Sequence, residues 1–220
     1  MDIIQLLKQR HSVRAFTHQA VEPELLKTIF SSSQLSPSNC NVQPWQTYVI
    51  SGEAKDRLKK SLVSLLMEGA QPSPEFDWIP KYQEIHRERQ FGSANALYSS
   101  VNITREDKQA RQMSMLRNWQ FFDAPHVVFF TMKKYLGIMG AVDMGIYAQT
   151  LNLLLAEQGI SSCMQGALGQ FPEPIKQQLG IDESVGILFG MSLGYEDTDA
   201  EVNNTRTDRA SLDDSVKFIC

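Results

Sequence analysis

The chain has 220 residues, of which 42% are hydrophobic and 21% charged, and its formal net charge is −4 from 21 basic and 25 acidic side chains. That length and balance provide for one substantial domain with a real core and exclude a disordered chain. They also argue against nucleic-acid binding through a broad basic surface, so any basic residues that matter are locally concentrated.

Ile3, Ile4, Leu6 and Leu7 recur at helical spacing and predict a first helix of about a turn and a half. It runs directly into Arg10-His11-Ser12-Val13-Arg14. Two guanidiniums and a hydroxyl held this close make an anion cradle, because a planar fork of donors suits phosphate oxygens or the acceptor edge of a heterocycle. The plainer alternative is a solvated basic face that complements the helix dipole. The beginning of the chain carries acidic Asp2 and no apolar core before a cleavage site, so no secretory signal is expected.

Val21-Glu22-Pro23 opens a second helix, with Leu25, Leu26, Ile29 and Phe30 as its buried stripe. A polar loop follows, Ser36-Pro37-Ser38-Asn39-Cys40-Asn41-Val42-Gln43-Pro44-Trp45. Two prolines make it stiff, and its amides and hydroxyls can hydrogen-bond a flat polar ring; an ordinary turn between helix and strand is the alternative. Gln43 and Trp45 are assigned structural roles, buttressing the loop and filling core.

Residues 46–50 predict a strand and 53–67 a helix with Leu58, Leu62, Leu65 and Leu66 on one side. Three prolines and a glycine mark 69–80 as loop. Two polar helices follow, over 81–96 and 105–118. This weakly apolar insertion, 69–118, is either a lid beside a cleft or a peripheral helical hairpin. Residues 126–132 form the clearest strand, an unbroken apolar run suited to the middle of a sheet. The helix over 139–158 stops at Gly159; with Asp143, Gln149, Asn152 and Glu157 inside it, it is a core or interface helix and not a membrane span. A short strand over 160–164, a helix headed by Pro172 and Pro174, and a last strand over 185–193 complete the chain, which shows no repeat or linker and is expected to be a single α+β domain over 1–220.

Cys40, Cys163 and Cys220 are far apart and odd in number, and His11, His18, His86 and His126 have no metal-ligand spacing. A reduced, cytoplasmic protein with no metal site is expected. His126, ahead of a buried strand, is expected to be a satisfied structural histidine, and Cys40 a small loop side chain and not a nucleophile.

In this order, Arg10-His11-Ser12-Val13-Arg14, the loop from Ser36 to Trp45, Gln165-Gly166-Ala167 and Gly190-Met191-Ser192-Leu193-Gly194-Tyr195, with Arg206 and Arg209 behind them, resemble the FMN-binding nitroreductase family. The resemblance spans nearly the whole chain outside the insertion. It implies a mostly antiparallel central sheet flanked by helices and an intertwined homodimer with the flavin at the subunit interface. Arg10, Ser12 and the backbone at His11 would hold the FMN phosphate with Arg206 or Arg209. Arg14 would face the pyrimidine end near N1, where a fixed cation favours the reduced flavin. Pro37, Ser38, Asn39 and Asn41 would approach from the other subunit, and Gln165 and Gly166 would lie beside the isoalloxazine, with a backbone N–H directed at N5. No residue is assigned a direct catalytic role.

The activity so implied is a ping-pong, two-electron reduction of a nitroaromatic or quinone by NADPH or NADH, both substrates using one cleft. No G-x-G-x-x-G follows a strand to suggest a separate nucleotide site. Asn39, Cys40, Trp78, Tyr82, Phe121 and Phe122 are candidates to line that cleft, the aromatics equally fitting core. Enone reduction, reductive dehalogenation, flavin fragmentation and non-catalytic flavin binding remain as alternatives. Neither nucleic acid nor membrane is expected as a partner.

Overall fold

Every residue of the apolar run ahead of Lys133 is buried in strand β2, His126–Lys133. The computed structural model, which describes residues 2–77 and 81–219, places β2 between β1 (Gln46–Ser51) and β4 (Val185–Gly194), with β3 (Ser161–Gln165) on the far edge of β4. All three pairings are antiparallel. The fold is α+β, as expected.

Both faces of the sheet are covered, which is why β2 reads as a continuous apolar run and not as an alternation. Val128, Phe130 and Met132 point to one side, where helices α2 (Pro23–Ser33) and α6 (Gly137–Glu157) bury Leu26, Ile29, Tyr147 and Leu151 against them. Val127 and Phe129 point to the other side, under α3 (Gly52–Met67) and α7 (Pro172–Leu179), with Leu58, Leu62 and Ile175. Phe130 stacks on Phe189 at 4.7 Å and meets Tyr147 edge-on at 6.3 Å. Trp45 fills core as predicted: it stacks on Tyr147 at 4.9 Å, and its Nε1–H donates to Gln34 Oε1 at 2.8 Å.

Some boundaries differ from the prediction for local reasons. Gly159 adopts φ +70, and the N–H of Ile160 returns to Leu155 O at 2.9 Å. Ile160 therefore belongs to the helix cap, and β3 begins one residue later than expected. The helix predicted over 105–118 contracts to α5, Lys108–Leu116, because the Asp107 carboxylate caps it by accepting the Ala110 N–H at 2.8 Å. The preceding helix, α4, runs Glu84–Ser100 and not 81–96. No residue of α4 or α5 is fully buried. Helix α1 is Ile3–Gln9, with only Leu6 buried.

The loop that opens the insertion is pinned to the sheet by Glu75. Its Oε1 accepts from Lys176 Nζ at 2.8 Å and Lys134 Nζ at 2.9 Å, while Oε2 accepts the Ile187 N–H at 2.9 Å. Next to it the Phe76 ring lies on Gly186, where a Cβ would come within 2.6 Å of the ring. His126 is satisfied as predicted: Nε2 accepts the Val21 N–H at 2.9 Å, and Nδ1 meets Ser51 Oγ at 2.5 Å. Burial, then the charge of Lys55, holds its pKa below the ordinary value.

Candidate functional site

The arginine-rich segment after α1 lies along the open edge of β3. Ser12 forms a parallel bridge with Ser162, and the Val13 N–H donates to Ser162 O at 3.2 Å. Extended backbone sends alternate side chains to opposite sides. Val13 enters a small buried cluster with Phe16, Phe122, Ala124 and Cys163. Its neighbours Ser12 and Arg14 line the cavity beside that cluster.

A residue that sequence reasoning missed completes the arrangement. Asn203 is buried, and its Oδ1 accepts the N–H groups of Arg14 at 2.7 Å and Ala15 at 3.2 Å. Its Nδ2 donates to Ala15 O at 2.8 Å and Asp197 O at 2.9 Å. One side-chain amide thus makes four bonds to backbone and ties the beginning of the chain to the segment carrying Arg206 and Arg209. One of two adjacent asparagines in a polar stretch gives no local sign of this.

The outcome is a cavity of about 370 Å³ lined by Arg10, His11, Ser12, Arg14, Arg206 and Arg209, together with Lys8, Ser93, Thr205 and Thr207. Its described lining contains no carboxylate. Burial, and then the charge of Arg209, hold the Arg10 guanidinium below its ordinary pKa. Buried Cys163 supplies little compensation, because burial pushes its thiol up even with Arg14, Ser12 and Arg10 beside it. Arg206 is fixed by its own turn, donating to Asn203 O at 2.7 Å and Thr205 O at 2.9 Å. Arg209 donates to Asp208 O at 2.7 Å and Thr207 Oγ1 at 3.0 Å. His11 is engaged outside this set, its ring nitrogens meeting Glu196 Oε1 and Gln9 O at 3.0 Å each. Like-charged forks held together without an acid make a receptor for a multiply charged anion. Such a cavity fits a phosphate monoester.

Arg14 also lines a neighbouring cavity of about 120 Å³ with Tyr98, Arg117, Asn118 and Phe122. Gln165 supports this second wall from behind: it is buried, donates to Asn118 O at 2.8 Å and accepts from Ser192 Oγ at 2.5 Å. Its side chain is committed to the protein, and Gly166 opens the turn that follows β3. Phe122 faces this cavity from a turn in which Phe121, Phe122 and Asp123 all have positive φ (56°, 51° and 60°). Phe121 is fully buried core.

Pro37, Ser38, Asn39 and Asn41 do not line the arginine cavity of their own chain. Their loop is shaped by positive φ at Cys40, Asn41 and Gln43, by Ser38 Oγ accepting the Gln43 N–H at 3.0 Å, and by Gln43 Nε2 donating to Asn41 O at 3.1 Å. The loop is anchored on α6, where buried Asp143 accepts the Asn39 N–H at 3.0 Å through Oδ1 while Oδ2 has no partner among the described residues. Cys40 is exposed, Tyr82 lies on the exposed surface, and Trp78 falls outside the described residues. No metal-binding group occurs among the described residues. A separate hollow of about 800 Å³ over α3 holds none of the predicted site residues.

The model of the family described as "Nitroreductase family" matches residues 7–195. The chain belongs to the nitroreductase family. Among its relatives, this nitroreductase-family chain is 35% identical to "Nitroreductase NfnB" of Mycolicibacterium smegmatis, over 97% of its own length and 91% of the relative's. It is 33% identical to a 4-nitrobenzoate reductase of Pseudomonas putida, covering 99% and 96%. Among solved structures it superposes with a TM-score of 0.94 and 34% identity, covering 100% of both chains, on the FMN-dependent nitroreductase NfnB from Mycobacterium smegmatis in complex with NADPH. With an FMN- and NADPH-dependent nitroreductase NfnB from Sphigopyxis sp. strain HMH the TM-score is 0.97 at 32% identity, again over 100% of both chains.

Proposed function

We propose that this protein is an FMN-dependent oxidoreductase that uses NAD(P)H to reduce nitroaromatic acceptors two electrons at a time. The observation that carries this is the acid-free cavity in which Arg10, Ser12, Arg14, Arg206 and Arg209 converge. Arg10, Ser12, Arg206 and Arg209 hold the FMN phosphate through charge-assisted bonds. Arg14, held to its place by Ser12 O at 3.2 Å and by Asn203 at its backbone, presents a fixed cation to the pyrimidine end of the ring. When bound, FMN supplies hydride and electron transfer between nicotinamide and acceptor. The backbone of Gln165 and Gly166 closes the ring site, and Phe122 excludes water beside Arg14.

The working unit is a homodimer. Exposed Ile138, Val142 and Ile146 form a stripe along α6, α1 beside it exposes Ile3, Ile4 and Leu7, and the last residues expose Val216, Phe218 and Ile219. Apolar exposure on this scale marks an association surface. The stretch Lys134–Glu157 is long and apolar enough to cross a membrane, but its opposite face buries Asp143, Tyr147, Asn152 and Leu155 in the protein. Dimerisation over α6 would carry Pro37, Ser38, Asn39 and Asn41 to the partner's flavin. Residues 1–220 act as one domain with 69–118 as its variable insertion. The free thiols of Cys40 and Cys163 suit the cytoplasm.

Purified protein is expected to be yellow, and its long-wavelength flavin absorbance to bleach anaerobically on adding NADPH or NADH and return on adding 4-nitrobenzoate or menadione. Bleaching by dithionite but by neither nucleotide would favour non-catalytic flavin binding. Arg14→Ala is expected to slow bleaching about tenfold in a folded protein. Stopped-flow reduction checks this, and an unchanged rate removes Arg14 from the ring site.

A further inference from the structure

A second basic hollow lies beyond the small cavity of Arg14 and Tyr98. It encloses about 940 Å³ and is lined by Arg105 and Arg111, by the rings of Phe91 and Tyr98, and by Asn95 and Ser99. Tyr98 is shared with the small cavity that contains Arg14 and Arg117, and Arg14 is shared with the main cavity. The three hollows are therefore neighbours with common walls at Arg14 and Tyr98, in order from the arginine cavity toward the hairpin of α4 and α5.

The cations of the outer hollow have no counter-charge. Among the described residues neither Arg105 nor Arg111 makes an ion pair. Of the two acids that follow Arg105, Asp107 is occupied as the cap of α5, and Glu106 makes no ion pair among the described residues. The Nε–H of Arg111 is shielded from solvent and has no acceptor among the described residues. Buried donors are normally paired, so this one marks a place where an acceptor from outside the chain belongs. Arg87, outside the lining, sits 5.4 Å over the Phe91 ring. With no fully buried residue in α4 or α5, these side chains are not there to build a core.

We propose that this hollow receives the adenosine 2′-phosphate half of NADPH and makes the enzyme selective for NADPH over NADH. The proposal rests on the oxidoreductase function argued above and names the coenzyme of that same site. A phosphomonoester takes forked donors from Arg105 and Arg111, the adenine lies against Phe91 and Tyr98, and Asn95 serves the ring edge. NADH, which lacks the phosphate, leaves both guanidiniums unpaired, and a site built around a charged group discriminates strongly against a ligand without it.

The test uses full-length, FMN-loaded protein, with 2′,5′-ADP and 5′-AMP as probes in titration calorimetry. Binding of 2′,5′-ADP at least about tenfold tighter than 5′-AMP is expected, with the difference lost in Arg111→Ala and partly kept in Arg111→Lys, which retains charge but not the fork. In turnover, Arg111→Ala raises the KM for NADPH about tenfold and cuts the NADPH-over-NADH selectivity by the same factor. Exposed Arg105→Ala gives the same readouts if Arg111→Ala does not fold. Equal binding of the two probes overturns the proposal, as does a variant that affects NADPH and NADH alike. A protein that binds 2′,5′-ADP through Arg111 but oxidises neither nucleotide keeps this site and overturns the oxidoreductase function. One that oxidises both nucleotides equally well overturns only the site.

Discussion

Arg10→Ala loses its flavin during purification, and its Kd for FMN rises on the order of 100-fold, the effect of removing one charge-assisted bond from a part-buried phosphate site. Arg10 is expected to matter more than Arg209, because it sits between burial and a like charge that nothing in the cavity lining offsets. Without an anion, Arg10 and Arg209 repel; with one, both are paired, so the cost of bringing them together is returned as affinity. Fluorescence titration of the apoprotein checks the result. Arg10→Lys should fall between wild type and alanine, since a point charge replaces a fork. FMN binding of wild-type strength in Arg10→Ala would move the phosphate elsewhere.

Glu75→Ala is expected to cost about 3 kcal/mol of stability, because it leaves the Lys176 ammonium buried without its main partner. The Lys176 side chain is 3% exposed, and its remaining partner Glu183, at 3.0 Å, is 82% exposed and well screened. The melting temperature should fall by roughly 10 °C. Burial alone would push the Glu75 carboxyl up; hydrogen bonds from Lys176, Lys134 and the Ile187 N–H outweigh it and hold the group below the ordinary 4.5. Burial alone would lower Lys176, but Glu75 and then Glu183 outweigh it and raise the group above the ordinary 10.5. A depressed acid contributes stability that is present above its ordinary value and lost as pH falls through the folded value. A raised base contributes stability that is present below its ordinary value and lost as pH rises through the folded value. The gap between wild type and variant should therefore be widest between those two ordinary values and narrow toward both extremes, as chemical denaturation at a series of pH values will measure.

What was legible in the sequence was what is local. The apolar run of β2, the helix-opening prolines of α2 and α7, and the crowding of Arg10, Ser12 and Arg14 all lie within a few neighbouring residues. Gly186 could be seen but not explained, since its reason is the Phe76 ring from a loop more than a hundred positions earlier. Asn203, Glu75 and Asp143 escaped for the same reason: each acts on backbone or charges distant in the chain, and no periodicity announces such a partner. The left-handed turns at Cys40–Asn41 and Phe121–Asp123 were hidden because Cys40, Phe121 and Phe122 ordinarily avoid positive φ, and Asn41 and Asp123, which tolerate it, give no sign on their own. The stiffness of the polar loop was visible in its two prolines, but its anchorage on α6 was not.

The bond set around Asn203 makes the anion cradle a product of long-range closure. One wall comes from residues 7–14 and the other from residues 205–209, so the cavity exists only where segments nearly two hundred positions apart have docked. A chain in which that docking is undone keeps Arg10 and Arg14 but separates them from Arg206 and Arg209. An anion that needs both walls therefore binds only the docked form, and its binding opposes local opening by mass action.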